Sequence, residues 1–325
     1  MDEKKEEQKE AGGWRSGLHN LSAKVVALWQ LTRLEHGIMY GVGVVLGVIL
    51  SADDARTLTL LADTRILLGA LVALLVEAGS FALNDYCDFE VDILNRRTDR
   101  PLVRGALKRS SALAVSVVAL ALGVALASLL NAAAFAFASA LAFLGIAYDL
   151  KLKETGIAGN IYIAFTMSAP FVFGGLLVGR LSLATILAAA LAFFAGFGRE
   201  VMKGIQDFEG DAARNIRSIA RHYGVKSAIK VSVAFYSLAV ALSILPLALK
   251  NSLLFLNPAY FIPISVADAL FLHVCVRLYA IHGRMHANEG QMWRLELESC
   301  RKETLLALAF GLLAFLCAFL WGGLG

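Results

Sequence analysis

The sequence predicts an all-α, polytopic membrane protein with nine transmembrane helices. Two observations predict it. The chain is 58% hydrophobic and only 17% charged, and its charges are bunched between long apolar runs. Those runs recur near the length of about 20 residues that a helix needs to cross the hydrocarbon layer. The expected spans are 34–51, 65–83, 110–130, 131–148, 159–179, 182–202, 228–249, 255–280 and 303–323. Within 110–148 only Asn131 punctuates an Ala/Leu-rich run, whose length fits two spans and a tight turn better than one span.

From the start, MDEKKEEQKE mixes acids and bases without an apolar core, so residues 1–16 are expected to be a solvated tail and not a signal peptide. Residues 17–325 are expected to form the transmembrane domain. Its first stretch, 17–33, sets Leu18, Leu21, Val25, Leu28 and Trp29 at helical spacing beside Lys24 and Arg33. That pattern fits a helix lying at the membrane interface, or an early start to the first span. In span one, Gly37, Gly41, Gly43 and Gly47 include the four-residue steps of close helix contacts. The four cysteines, Cys87, Cys275, Cys300 and Cys317, have neither disulfide nor zinc-ligand spacing.

The placement of basic residues gives sidedness. Six Lys or Arg follow span two (96, 97, 100, 104, 108, 109), two follow span four, seven surround the exit of span six (199–230), and five the exit of span eight (277–302). The alternate connections hold only Arg56, Arg65, Arg180 and Lys250. Twenty against four predicts that the N-terminus and every even-numbered exit face the cytoplasm, with the C-terminus outside. No nucleic-acid partner is expected; the natural partner of this surface is membrane lipid.

Spans two and six both end in an acidic cluster followed by a basic loop, giving Asp-rich cytoplasmic loops at 84–109 and 203–227. Four spans separate the clusters, a hint of a duplicated helical unit without a residue-by-residue repeat. In the first cluster Asn84, Asp88 and Asp92 form an i, i+4, i+8 ladder, and Asp85 lies within about 60° of Asp88 and Asp92. In the second, Glu200, Lys203, Asp207 and Asp211 share an arc of about 80° if the helix continues. Stacked carboxylates at a low-dielectric boundary either take up protons or bind a cation. Hard oxygen ligands suit Mg²⁺, which favours one or two carboxylates plus waters and substrate phosphates. The candidate metal ligands are therefore Asn84, Asp85, Asp88, Asp92, Asp207 and Asp211. Two such ladders across a bundle would grip a diphosphate, with Arg96, Arg97, Arg100, Lys151, Lys153, Arg199 and Lys203 as candidates to stabilise its charge. Lys203 stands out because its spacing sets it on the acidic face.

These residues resemble the UbiA superfamily of intramembrane prenyltransferases. Asn84-x₃-Asp88-x₃-Asp92 is similar to its first signature and Asp207-x₃-Asp211 to its second. Asn95, Arg100-Pro101-Leu102 and Gly105 resemble the loop after the first signature, and Tyr148 to Lys153 resembles the Tyr/Lys element that closes span four. The resemblance runs from about Arg33 to the end. It implies nine helices, Mg²⁺ bridging the signature acids to a polyprenyl diphosphate, an allylic carbocation, and capture by a lipophilic acceptor. The catalytic residues would be Asp88, Asp92, Asp207, Asp211 and Lys203.

The stretch 152–174 and Arg199-Glu200-x₂-Lys203 look most like the branch that makes archaeal ether lipids. That resemblance implies geranylgeranyl diphosphate as donor and geranylgeranylglyceryl phosphate as acceptor. Against it, Gly204 stands where that branch commonly has Asp, and Arg33-Leu34-Glu35-His36 is similar to the aromatic-acid prenyltransferases of quinone synthesis. Acceptor-side candidates are Glu77, His36, Arg33 and Tyr148. Glu77, deep in span two, would orient an acceptor or act as a base, or else be a protonated helix contact. Asp268 and His273 read as packing groups, as do Phe193, Phe194 and Phe197, which could alternatively shield a cation. A secondary transporter is the rival class, but its acids would sit at mid-bilayer, whereas these sit at helix ends beside bases.

Overall fold

A computed structural model describes residues 22–52, 63–208, 216–250, 252–286 and 292–322. The N-terminal tail, residues 17–21 and Asp211 lie outside the described residues. Among those described the chain is all helix, without strands, and nine helices are long and apolar enough to cross a membrane. A short helix α1 at 22–32 comes first. The spans are α2 (Leu34–Ser51), α3 (Thr64–Cys87), α5 (Arg109–Ala127), α6 (Ala132–Leu150), α7 (Ile157–Leu177), α8 (Leu183–Gln206), α10 (Val225–Ser243), α11 (Pro258–His286) and α12 (Met292–Gly322). Two short helices interrupt the connections, α4 (Phe89–Leu94) after α3 and α9 (Ile219–Tyr223) after α8. The protein is a multi-pass membrane protein.

Local signals explain the boundaries. Arg33, in the left-handed region at φ 45°, breaks the backbone between α1 and α2, so 22–32 is a helix of its own and not an early start to the span. The side chain of Asn131 accepts from the Ala134 amide and caps α6, splitting the long Ala/Leu run into two spans. Asp63 and Ser182 cap α3 and α8 in the same way. The last helix begins at Met292, well before the expected 303. Its charged first turns broke the apolar pattern, but they pair with one another and with α11: Arg277 with Glu303 at 3.0 Å, Lys302 with Glu298 at 2.9 Å, and Arg284 with Glu296.

Packing divides the helices into two groups. One comprises α2, α3, α5, α6 and α7, and the other α8, α10, α11 and α12; α2 and α7 pack on α8 and join them. Within the first group, the packing of α2 on α7 is tight because of glycine. A Cβ at Gly47 would collide with the Phe171 carbonyl, and one at Gly174 with the Val44 carbonyl, so α2 and α7 touch backbone to backbone. Gly37 and Gly41 face Leu74 and Ala70 of α3, and Gly43 faces Pro170 of α7, which accounts for the whole small-residue series. Asp268 accepts from Ser243 at 2.7 Å, His273 meets Glu303 at 2.5 Å, and Phe197 is buried against Phe235.

These glycines generate a contrast. Gly47→Ala and Gly174→Ala force α2 from α7 and should each cost about 1–3 kcal/mol, the usual penalty of overpacking. Gly204→Ala meets Ser218 only at an ordinary 3.5 Å. It should leave stability unchanged or raise it by up to about 1 kcal/mol, because alanine is the better helix former. Thermal midpoints in one detergent check all three.

Candidate active site

The ends of α3 and α8 lie at one end of the bundle. Lys153, just after α6, reaches Asp88 at the end of α3, and Arg33, just before α2, reaches Asp85. Beyond the C-terminus of α8, residues 216–218 pack on the α6–α7 turn. There Gly156 adopts φ 65°, and a Cβ would strike the Arg217 carbonyl, so this turn requires glycine twice over.

At the first cluster α3 stops at Cys87, Asp88 is the junction, and α4 carries Asp92. The amides of Asp88 and Asp92 still bond to the carbonyls four residues back, so the ladder register survives the break. Its side chains fall into two sets. In one, Asn84 Nδ2 donates to Asp88 Oδ2 at 3.2 Å and to Asp149 Oδ1 at 2.8 Å, while Lys153 Nζ donates to Asp88 Oδ1 at 2.7 Å. In the other, Asp85 Oδ1 accepts from Arg33 at 3.1 Å and from Arg100 at 2.6 Å, and Arg100 Nε lies 3.7 Å from Asp92. Asp85 is 2% exposed, and its Oδ2 is buried without a hydrogen-bond partner. Burial lowers the Arg33 pKa from its usual value, and the Asp85 charge opposes that shift.

On α8, Glu200 sits between Arg199 at 3.5 Å and Lys203 at 3.4 Å. Asp207 caps the helix and is exposed, its amide bonded to the Lys203 carbonyl at 3.0 Å. The clusters sense each other: the charges of Asp92 and Asp207 both reach Arg97, and those of Glu200, Asp149 and Asp88 all reach Tyr148. Arg97 itself grips Asp99 through two hydrogen bonds of 2.9 and 2.8 Å, which raise the arginine pKa and lower that of the acid. Arg96 and Lys151 are exposed.

Along α3 from Asn84, one to three turns into the bundle, lies a partly open cleft of about 480 Å³, its open mouth included. Apolar residues such as Val72, Val76, Leu141 and Phe173 line it, together with Glu77, Tyr40 and Tyr162. Tyr40 donates to Thr166 at 3.4 Å, Tyr148 stacks on Tyr162 at 4.9 Å, and Phe81 carries Arg33 on its face and His36 at its edge. Sequence reasoning missed Asp149, whose signal was an acid in the last turn of an otherwise apolar span.

The donor set fits Mg²⁺. Its oxygens are hard, and the acids on α3 and α4 are held by cations instead of buried in apolar contacts. Among the described residues no three His, Cys, Asp or Glu side chains converge as a closed cage. Mg²⁺ does not require one where substrate phosphates and waters complete its shell.

A nine-span helical bundle with two acid-bearing helix ends above an apolar cleft is the architecture of a membrane-embedded prenyltransferase. Residues 40–294 match the UbiA prenyltransferase family, and the chain belongs to that family. It is 45% identical over 302 residues to the digeranylgeranylglyceryl phosphate synthase of Archaeoglobus fulgidus, covering 93% of this chain and 98% of that protein. Its identity to the Pyrococcus furiosus synthase is 34% over 250 residues, or 76% of this chain and 84% of that one. The fold matches a solved digeranylgeranylglyceryl phosphate synthase with a TM-score of 0.70 at 26% identity, over 92% of this chain and 99% of the other. A UbiA homolog from Archaeoglobus fulgidus, solved bound to GPP and Mg²⁺, shares the fold with a TM-score of 0.61 at 19% identity, over 89% and 99% of the two chains.

The two carboxylates of the first cluster should respond differently to neutralisation. Asp85→Asn leaves Arg33 and Arg100 without their buried anion, a loss of about 3–5 kcal/mol. Asp88→Asn removes a partly exposed acid and should cost much less. Thermal unfolding of the two variants side by side measures the difference.

Proposed function

We propose that the protein transfers the geranylgeranyl group of geranylgeranyl diphosphate to geranylgeranylglyceryl phosphate, releasing diphosphate in the synthesis of an archaeal ether lipid. The observation that carries the reading is the meeting of two acid-bearing helix ends at one end of the bundle, above an apolar cleft. The identity to digeranylgeranylglyceryl phosphate synthases, over nearly the whole chain, supports the choice of substrates. Family membership sets aside the transport reading.

In this reading Asn84, Asp88 and Asp92 of the first cluster and Asp207 and Asp211 of the second would hold Mg²⁺. Bound there, Mg²⁺ would draw charge from the departing diphosphate. Lys153 and Lys203, each already beside a carboxylate, offer their ammonium groups to phosphate oxygens, as do Arg100 and Arg199. Asp85 acts through Arg33 and Arg100, holding both guanidiniums at the rim. The prenyl chain occupies the cleft, and Glu77, Tyr148, His36 and Arg33 border the acceptor. The acceptor hydroxyl oxygen bonds to the allylic carbon as the carbon–oxygen bond to diphosphate breaks, and the hydroxyl proton is released. The Lys/Arg-rich connections fall at the site's end of the bundle, which supports a cytoplasmic site and N-terminus with the C-terminus outside.

Purified protein, Mg²⁺ and geranylgeranyl diphosphate, offered either geranylgeranylglyceryl phosphate or 4-hydroxybenzoate, should consume only the phospholipid precursor. Mass spectrometry of the product checks this, and prenylation of the aromatic acid alone would refute the acceptor. EDTA should abolish turnover. Asp88→Asn and Asp207→Asn should each lower kcat by about a hundredfold or more, the scale of losing preorganised charge stabilisation.

A further inference from the structure

The second acid cluster is held from a place the chemistry does not require. Asp207 stands at the C-terminus of α8, where the final carbonyls lack helical partners and the last turn frays readily. The first cluster resists fraying because α4 continues beyond it and Asp85 is clamped by two arginines. After α8 a turn at Asp207 leads to Phe208, which is again helical, and both residues are exposed.

One side chain from the far end of the sequence meets this turn. Arg301, in the early turns of α12, donates from Nη1 to Gln206 Oε1 at 2.7 Å. Gln206 is the last residue of α8 and the immediate neighbour of Asp207. The floor beneath the contact is rigid: Cys300 and Leu297 on α12 pack in one buried cluster with Ile205 and Met202 of α8. Arg301 is therefore aimed from a fixed base at the point where α8 ends.

We propose that Arg301 is a positioning residue for Asp207, fixing the last turn of α8 through Gln206 so that the carboxylate is set to receive Mg²⁺. The inference rests on the reading of Asp207 as a metal ligand. A charge-assisted hydrogen bond is the strong kind, and its loss at a helix end is expressed locally, as fraying. Arg301 thus gives α12 a part in the donor site although it contributes no carboxylate to it.

Four full-length variants test this: Arg301→Met, Arg301→Lys, Asp207→Asn, and the combination of Arg301→Met with Asp207→Asn. Arg301→Met should raise the Mg²⁺ concentration for half-maximal turnover about tenfold with a smaller change in kcat, the size of one lost hydrogen bond to a charged group. Arg301→Lys, which keeps a donor, should recover part of that loss. Independently of activity, hydrogen–deuterium exchange in apo protein should quicken at residues 203–208 in Arg301→Met, while α7 and α10 keep wild-type protection. In the Asp207→Asn background, adding Arg301→Met should change the Mg²⁺ requirement no further. If Asp207→Asn itself leaves the Mg²⁺ requirement unchanged, the metal-ligand reading fails. If Asp207→Asn raises it but Arg301→Met leaves both the requirement and the exchange at 203–208 as in wild type, the positioning role is overturned. Faster exchange throughout the bundle would likewise overturn it, because Arg301 would then support the fold as a whole.

Discussion

Carboxylates gathered at the edge of a hydrocarbon layer lose hydration and repel one another, so an arrangement of several endures only if cations are set among them. Much of this bundle end is organised by that need. Asp85 is matched by Arg33 and Arg100, Asp88 by Lys153, and Glu200 by Arg199 and Lys203. The cations come from different parts of the chain: the residue before α2, the loop after α4, the turn after α6, and α8. Charge pairing therefore ties separate connections together at one place. On the proposed function, the same cations would become available to an anionic substrate when the acids turn to a metal, and a resting ion-pair network and a diphosphate site would be two uses of one set of side chains.

Beneath this charged rim the requirements reverse. The glycine contacts between α2 and α7 bring backbones together where hydrophobic driving force is absent, and they lock these two helices of the first group to each other. The cleft beside them keeps mainly apolar walls with a few polar points, among them Glu77, Tyr40 and Tyr162. Such a cleft accepts a hydrocarbon chain without paired charges, leaving recognition to the rim.

Much of this was legible in the sequence. Long apolar runs showed the number of spans, Asn131 marked the division between α5 and α6, and the four-residue steps of glycines showed a face of close helix contact. Other features were not legible, for physical reasons. The start of α12 was read too late because a helix whose charges are neutralised by its neighbour looks, in one dimension, like a loop. Asp149 went unmarked because a single acid in an apolar span reveals its partner, Asn84, only when two helices are packed. The contact between Arg301 and Gln206 joins residues 95 positions apart, and no local pattern encodes it. Spacing identified the acids; only packing identified what holds them.

The central claim is that the two helix ends form one donor site. Calorimetric titration with an unreactive thio-analogue of geranylgeranyl diphosphate in the presence of Mg²⁺ tests it without relying on turnover. The account predicts that Asp88→Asn and Asp207→Asn each weaken binding by about tenfold or more, and that combining them is less than additive, as expected of residues that act as a unit. Wild-type affinity in Asp207→Asn, or strict additivity of the two changes, would contradict a shared site.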